Sequence, residues 1–424
     1  MAAQFWRLRS MQHWPDDVRR IVGGRLADGQ TGSRLHTMEG ETFVEALGVD
    51  ELEAHKLDWR DLARRAIEPN PFMEPDFALT AILHLPESQR PIMAVVWQAV
   101  GDEPRARMIG VWGFERGRFG AFGGMARTWK HKHGALGTPL IDRLAAARSV
   151  DAILAWLRER RFGQSALILR DLAQGGAVAG LIADRCAAQG LASTGLNEHE
   201  RAALQPNNGD RVQQIRARHS RKHTREIDRL ARRLSECGEV DYGSARDPAD
   251  VRYASEWFLA LEQAGWKGRR GTAFLSDAGD AAFLRVAVRQ LARAGKCRLD
   301  WIAVDGRPIA MAIVLCSADR AYYWKTAYDE RFARFSPGVH LTRALAERQL
   351  ADAAVQITDS CAMADHPMID RLWPDRLAMF DLLIGVDPAR TRAFPGAVRR
   401  ERFARAARAA VKSAAVAALR RRVS

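Results

Sequence analysis

The sequence lacks most of the features that commit a chain quickly to one class. Its five cysteines, Cys186, Cys237, Cys297, Cys316 and Cys361, are scattered, odd in number and contain no Cys-x-x-Cys pair. That pattern argues against a thiolate zinc site and for a reducing compartment. No apolar run approaches the roughly 18 residues of a membrane-spanning helix. The opening "MAAQFWRLRSMQHWPDD" has no signal-peptide core, so a cytoplasmic location is expected. No short-period repeat is visible, which disfavours solenoids and propellers. A Gly-x-Ser-x-Gly elbow, a Walker loop and a His-Glu-x-x-His helix are all missing, and their chemistries lack support.

What is present is ordinary in bulk and uneven in detail. The chain has 424 residues, 47% apolar and 27% charged, enough for two or three domains each with its own core. Its net charge of +14 is concentrated in two places. Residues 390–424 hold eleven Arg and Lys against Glu401 alone, and residues 211–233 hold nine against Glu226 and Asp228. The remainder is slightly acidic. Basicity therefore describes two helix-prone segments and not the body. Such segments can meet anionic lipid or nucleic acid, or stand as solvated basic surface. No interleaved aromatics support base stacking, so nucleic acid is the weaker functional option.

Along the chain, "EPNPFMEPDF" (Glu68 to Phe77) reads as a proline-fixed loop. Three strand-like runs follow at 77–85, 92–100 and 108–114, as in a meander. "HGALGTPLID" (His133 to Asp142) is a second glycine-proline loop. Helices over 150–161 and 178–189 flank a strand at 165–172. The polar stretch 196–210 is the best domain boundary, and a long helix over 211–237 follows it. Helices at 251–264 and 281–294 come next. Asp305-Gly306 then joins strands 299–304 and 309–316 as a hairpin turn. A third strand covers 321–328, a helix 339–353 and a further strand 355–360. The second half thus reads β-β-β-loop-α-β, within an α+β (α/β-like) chain.

At the start of that last helix stands Ser336-Pro337-Gly338. Serine is a favoured N-cap, and proline suits the first helical position because its missing N–H would be unpaired there anyway. The next N–H groups, of Gly338, Val339 and His340, point out of the helix end. Glycine allows a ligand close to the backbone, which makes a phosphate seat the functional reading and a well-capped helix the plain one.

Several stretches carry a family likeness. "WFLALEQAGWKGRRGTAF" (Trp257 to Phe274), "VDGRPIAMAIVL" (Val304 to Leu315), "YYWKTAYDERFARFSPGVHL" (Tyr322 to Leu341) and "MADHPMIDRLWPDR" (Met363 to Arg376) resemble the CelD/BcsL-type acetyltransferases of the GNAT superfamily. These are relatives of the Fem-type peptidoglycan aminoacyltransferases. The loops "EPNPFMEPDF" and "HGALGTPLID" of the first half resemble that family too. The resemblance implies two tandem GNAT-like domains, with mixed, mostly antiparallel sheets flanked by helices. The expected division is 1–205, 206–390 and a basic helical tail 391–424. It also implies an acetyl-CoA or other acyl-CoA donor, no metal, and an amine or hydroxyl acceptor in cell-envelope or exopolysaccharide metabolism.

Carried over by position, the donor's pyrophosphate would lie on Arg334, Phe335, Ser336, Pro337, Gly338 and Val339. The usual loop has an Arg or Gln, two variable residues, Gly, one more, then Gly or Ala. Here the loop is one residue longer with a single glycine, so an aminoacyl-tRNA donor of the Fem kind stays open.

Acyl transfer to an amine needs a deprotonated nucleophile, a polarised carbonyl and a protonated leaving group. Glu262 is a candidate base or acceptor ligand, or a solvated helix carboxylate. Asp329 is a base or a turn former. Tyr328 is a proton donor to the leaving thiolate or a packing residue, and His366 a general acid or a structural loop residue. Trp266, Lys267, Lys325 and Asp359 are candidate acceptor contacts, with Lys325 the less easily dismissed of the lysines because aromatics flank it. His131 and His133 in "WKHKHG" have metal-like spacing with no third ligand in view. The alternative function is a catalytically silent scaffold. Its basic helices would dock on an anionic surface or a membrane synthase, peripheral to the inner membrane.

Overall fold

The computed structural model describes residues 42–99, 106–115, 125–159, 165–205 and 221–423. The first part of the basic segment 211–233 and the end of the expected boundary 196–210 lie outside the described residues.

The first half begins with β1 (Thr42–Leu47), α1 (Val49–Ala54), α2 (Lys56–Arg65) and α3 (Pro75–His84). It continues through β2 (Ile92–Ala99), β3 (Ala106–Phe114), β4 (Met125–Arg127) and β5 (Leu140–Ile141). Then come α4 (Ala146–Arg158), β6 (Ala166–Ala173), α5 (Ala177–Ala188) and β7 (Ser193–Leu204). The second half holds α6 (Arg221–Ser235), β8 (Val240–Ala245), α7 (Pro248–Ala264), α8 (Trp266–Arg269) and α9 (Ala278–Arg293). The meander β9 (Cys297–Val304), β10 (Arg307–Ser317) and β11 (Arg320–Tyr328) leads to α10 (Pro337–Ala351) and β12 (Ile357–Asp359). The chain closes with α11 (Ile369–Leu372), β13 (Asp375–Gly385) and α12 (Phe394–Val423).

Two sequence expectations are corrected. The apolar run 77–85 is helical, as α3, and not a strand. Pro75 occupies its first turn beside Asp76, and every residue from Pro75 to Ile82 is buried. An element buried all round shows no face periodicity, so helix and strand look alike in sequence. The polar stretch 196–210 is not all linker: to Leu204 it is the strand β7, edged on both sides by other strands. Its Glu198 and Glu200 are exposed, while Ala202, Ala203 and Leu204 are buried.

A small antiparallel sheet runs in the order β1-β2-β3-β5, and a nine-stranded sheet runs β4-β6-β13-β7-β12-β11-β10-β9-β8. Among the described residues, only β4 with β6 and β11 with β12 pair in parallel. The architecture is thus α+β, mixed but mostly antiparallel, with helices against the sheets. β13 is antiparallel to both β6 and β7, so those two run parallel with β13 wedged between them. The unit β6-α5-β7 is therefore closed by a strand from the far end of the chain. Its counterpart β11-α10-β12 has no such insert. One buried core takes residues from both halves, from Leu52, Phe77 and Trp129 to Phe283, Trp324 and Met379. Burial on this scale, at roughly 25 cal/mol per Å² of apolar surface, joins the halves into one body.

Candidate active site

β11 and β12 lie side by side over three registered pairs, from Arg320 with Ile357 to Tyr322 with Asp359. Beyond Tyr322, β11 continues to Tyr328 on β10, but no strand among the described residues pairs its other edge. The result is a wedge with backbone donors and acceptors along one wall.

The helix α10 starts at the wide end of that wedge. Ser336 precedes it in the left-handed conformation, φ 54° and ψ 50°, and its side chain makes no capping bond. Serine's expected cap role is thus corrected. The Ser336 carbonyl instead accepts from the N–H groups of Val339 (2.9 Å) and His340 (3.3 Å). The Gly338 N–H has no partner among the described residues. A Cβ on Gly338 would meet nothing nearer than Met368 Sδ at 3.9 Å. Packing does not demand glycine here, and the space above it is open. The first turn is held from behind: Thr342 Oγ1 donates to the Gly338 carbonyl (2.7 Å), and the buried His340 ring bonds the Phe335 carbonyl (3.0 Å). Phe335 and Pro337 are buried, Val339 is half-buried, and Arg334 is exposed with its guanidinium 4.7 Å over the Phe335 ring.

The opposite face of β11 carries a second group. The register with β10 slips between Ile313–Lys325 and Val314–Tyr323, which leaves Trp324 as a bulge. A bulge redirects side chains, and here Trp324 joins Tyr322 in the shared core beside Lys325. Lys325 Nζ stands 3.4 Å from His133 Nδ1 and 5.6 Å from the ring centres of Phe274 and Trp324. Burial first, then the nearby Lys267 charge, pushes the Lys325 ammonium down to about 8. Glu262 is buried on α7, and its two oxygens accept from Lys267 Nζ (2.8 Å) and the Phe274 N–H (2.8 Å). Lys267 also donates to the Thr326 carbonyl (3.2 Å). His133 Nε2 is 3.4 Å from Asp280 Oδ2, in ion-pair range but poorly aligned for a hydrogen bond. Burial and the surrounding lysines push His133 down to about 2, so its ring is neutral.

Glu262, Lys267 and Lys325 therefore converge. Asp359 accepts from the Cys361 N–H (2.8 Å). Asp359 itself is buried against Arg201. The other expected residues lie apart. Asp329 caps the turn after β11, accepting from the Arg331 N–H (3.0 Å) and pairing with its guanidinium (2.6 Å). That pairing holds its carboxyl below the usual range and makes it a weak base. Tyr328 is 38% exposed at the strand end, and Trp266 is 42% exposed with Arg270 stacked 5.0 Å over it. The Trp266 N–H donates to Glu330 Oε1 (2.6 Å). His366 serves α11, where its Nδ1 receives the N–H groups of Met368 and Ile369, each at 3.4 Å. Sequence reasoning missed His133, Phe274 and Asp280 as neighbours of Lys325. "WKHKHG" was the available signal, but its spacing suggests a metal and not a lysine.

Residues 221–366 match the acetyltransferase (GNAT) domain family. That span holds the wedge, α10 and, His133 apart, the Lys325 group, and it has the GNAT fold. No curated protein matches the chain. Among solved structures it is similar to the crystal structure of FemX, with 10% identity, a TM-score of 0.47, and coverage of 80% of this chain and 96% of that one. It is also similar to the C-terminal domain of a putative lysylphosphatidylglycerol synthetase from Agrobacterium fabrum (11%, 0.46, 82% and 96%). A third is a tandem GNAT protein from the clavulanic acid biosynthesis pathway (15%, 0.40, 82% and 99%). Among the described residues, no helix is long and apolar enough to cross a membrane.

Proposed function

We propose that the second half transfers an acyl group from an acyl-CoA thioester to an amine or hydroxyl acceptor. The observation that carries this reading is the open wedge between β11 and β12, with the unpartnered Gly338 N–H at its mouth. Of the three N–H groups expected to point out of this helix end, those of Val339 and His340 are taken by the Ser336 carbonyl. That leaves the Gly338 N–H and the positive end of the helix dipole for a pyrophosphate. The edge of β11 that no described strand pairs, where Lys267 takes the Thr326 carbonyl, suits an extended amide chain such as pantetheine, which can pair along the remainder as an added strand. Among the described residues the first half offers no equivalent place at β6-α5-β7, because β13 fills the gap between β6 and β7 and the Glu68 carboxylate accepts the Val178 N–H at the start of α5 (3.1 Å).

In this reading the residues 334–339 hold the donor, and the acceptor approaches from the Glu262, Lys267 and Lys325 side. Glu262 is the carboxylate offered to an incoming ammonium, with Lys267 as the cation it displaces. A CelD/BcsL-type role in cell-envelope or exopolysaccharide metabolism is the finer form of the proposal, supported by the sequence resemblance alone. Titration calorimetry of the full chain with acetyl-CoA, together with an assay of free thiol release, tests the reading. Saturable binding supports it; no binding to acetyl-CoA or to longer acyl-CoA thioesters overturns it.

A further inference from the structure

The Lys325 group holds a charge that the chain does not balance. Each carboxylate acting on it is already engaged: Glu262 with Lys267 and the Phe274 N–H, and Asp280 with Lys132 Nζ (2.6 Å). The nearby Cys361 is a neutral thiol, since burial pushes its ionisation up. His133 is neutral as well. What surrounds the Lys325 ammonium is one imidazole nitrogen and two aromatic faces. No carboxylate among the described residues pairs with it. A largely buried cation without a counter-charge costs free energy, which is relieved either by giving up the proton, the direction in which burial already pushes Lys325, or by an anionic partner.

We propose that Lys325 receives a carboxylate carried by the acceptor, so that the acceptor is an amine bearing a carboxylate. A single uncompensated charge matches a monoanion and not a phosphate dianion, which would leave a net negative charge buried. The rings of Phe274 and Trp324, both buried, form walls suited to the methylene stem behind such a carboxylate. Lys325 lies on the core face of β11, among residues of both halves, and the donor mouth lies at the N-terminus of α10. The site thus rests on the acyl-transfer reading for its purpose, but its chemistry is independent of it.

The test is calorimetry on the full chain with aminohexanoate and its carboxamide, two amines of similar basicity that differ in the distal charge. Acetyl-CoA binding is measured first on the same samples. The expected result is that the carboxylate binds about tenfold tighter than the amide in the native chain and in Lys325→Arg, as a charge-assisted bond implies. In Lys325→Met the two bind alike. That variant removes an unpaired charge and should fold at least as well as the native chain. Equal affinities in the native chain, no heat from either amine, or a preference that survives in Lys325→Met each overturn the inference. Acyl-CoA binding without this discrimination defeats this inference alone, while discrimination without binding of acetyl-CoA or of longer acyl-CoA thioesters defeats the acyl-transfer reading alone.

Discussion

The hydroxyl of Tyr323 lies 2.9 Å from Thr342 Oγ1, and that same oxygen donates to the Gly338 carbonyl. Threonine has one hydroxyl hydrogen, so Tyr323 is the donor in the first bond. The relay ties β11, just past its parting from β12, to the first turn of α10. Tyr323→Phe keeps the buried ring and removes the relay. It should cost about 1 kcal/mol of stability by urea denaturation and weaken acetyl-CoA binding several-fold. A change in stability with no change in binding would show that the turn is held without it.

Gly338→Asp should separate folding from binding. The added Cβ has room, with Met368 Sδ at 3.9 Å as its nearest contact. A carboxylate in the first turn of a helix is favourable by about 0.3–1 kcal/mol. The variant should therefore be as stable as the native chain or slightly more so. Acetyl-CoA affinity should fall at least tenfold, because the same carboxylate repels the phosphates. Unaltered affinity would place the donor elsewhere.

Ser336 carries backbone strain in front of a proline, which itself narrows the choices of the preceding residue. Because its hydroxyl makes no cap bond, Ser336→Gly loses little and relieves the positive φ. Stability should rise by up to about 1 kcal/mol, where loss of a working cap would lower it by a similar amount. Chemical denaturation of the two proteins gives the sign directly.

The parts of this fold that sequence revealed are those fixed over a few residues. Asp305-Gly306 has φ of 49° and 72°, as a two-residue hairpin requires, and Pro337 opens α10. The strands β9 to β11 are nearly continuous buried runs set apart by turn residues, which is how they show in sequence. What stayed hidden depends on partners far along the chain. Nothing in the sequence of β13 says that it enters between β6 and β7, since periodicity names a buried face and not the neighbour. His133 and Lys325 are separated by 192 residues, so their contact left no local trace. Asp329 illustrates the reverse: its place after a strand was legible, but Arg331, two residues on, neutralises it.

The C-terminal helix, expected as a basic tail, is anchored at its start by an acid. Glu401 is 1% exposed and accepts from Arg127 on β4, Arg405 (2.8 Å) and Arg408 (3.4 Å), while Arg405 also reaches Asp381 on β13 (2.5 Å). Glu401→Ala leaves Arg127 buried and unpaired, at a cost of about 3 kcal/mol. Limited trypsin digestion should then cut within 394–423 sooner than in the native chain, with the remaining body intact. Equal digestion rates would mean that apolar contacts alone hold the helix.

Acid should loosen the contact between the halves before it reaches the carboxylates. His131 is 4% exposed among Phe77, Trp129 and Phe283, and burial followed by the neighbouring His133 pushes it down to about 3 from an ordinary 6.5. Lys132, Lys325 and Asp280 also face the pair, the lysines opposing protonation and the aspartate favouring it. Once the pH falls below 6.5 the unfolded chain takes up a proton at each histidine and the folded chain does not. Stability is therefore lost as pH drops, by roughly 1.4 kcal/mol per histidine for each unit below 6.5. At pH 5.5 the urea midpoint should be lower than at 7, in a range where carboxylates paired as Asp329 is are still ionised. His131→Phe places a ring among rings and removes one of the protons, leaving those of His133 and of His84 and His340, which burial also pushes down. Its midpoint should fall measurably less between the two pH values, and an unchanged slope would mean that the folded state protonates His131 readily.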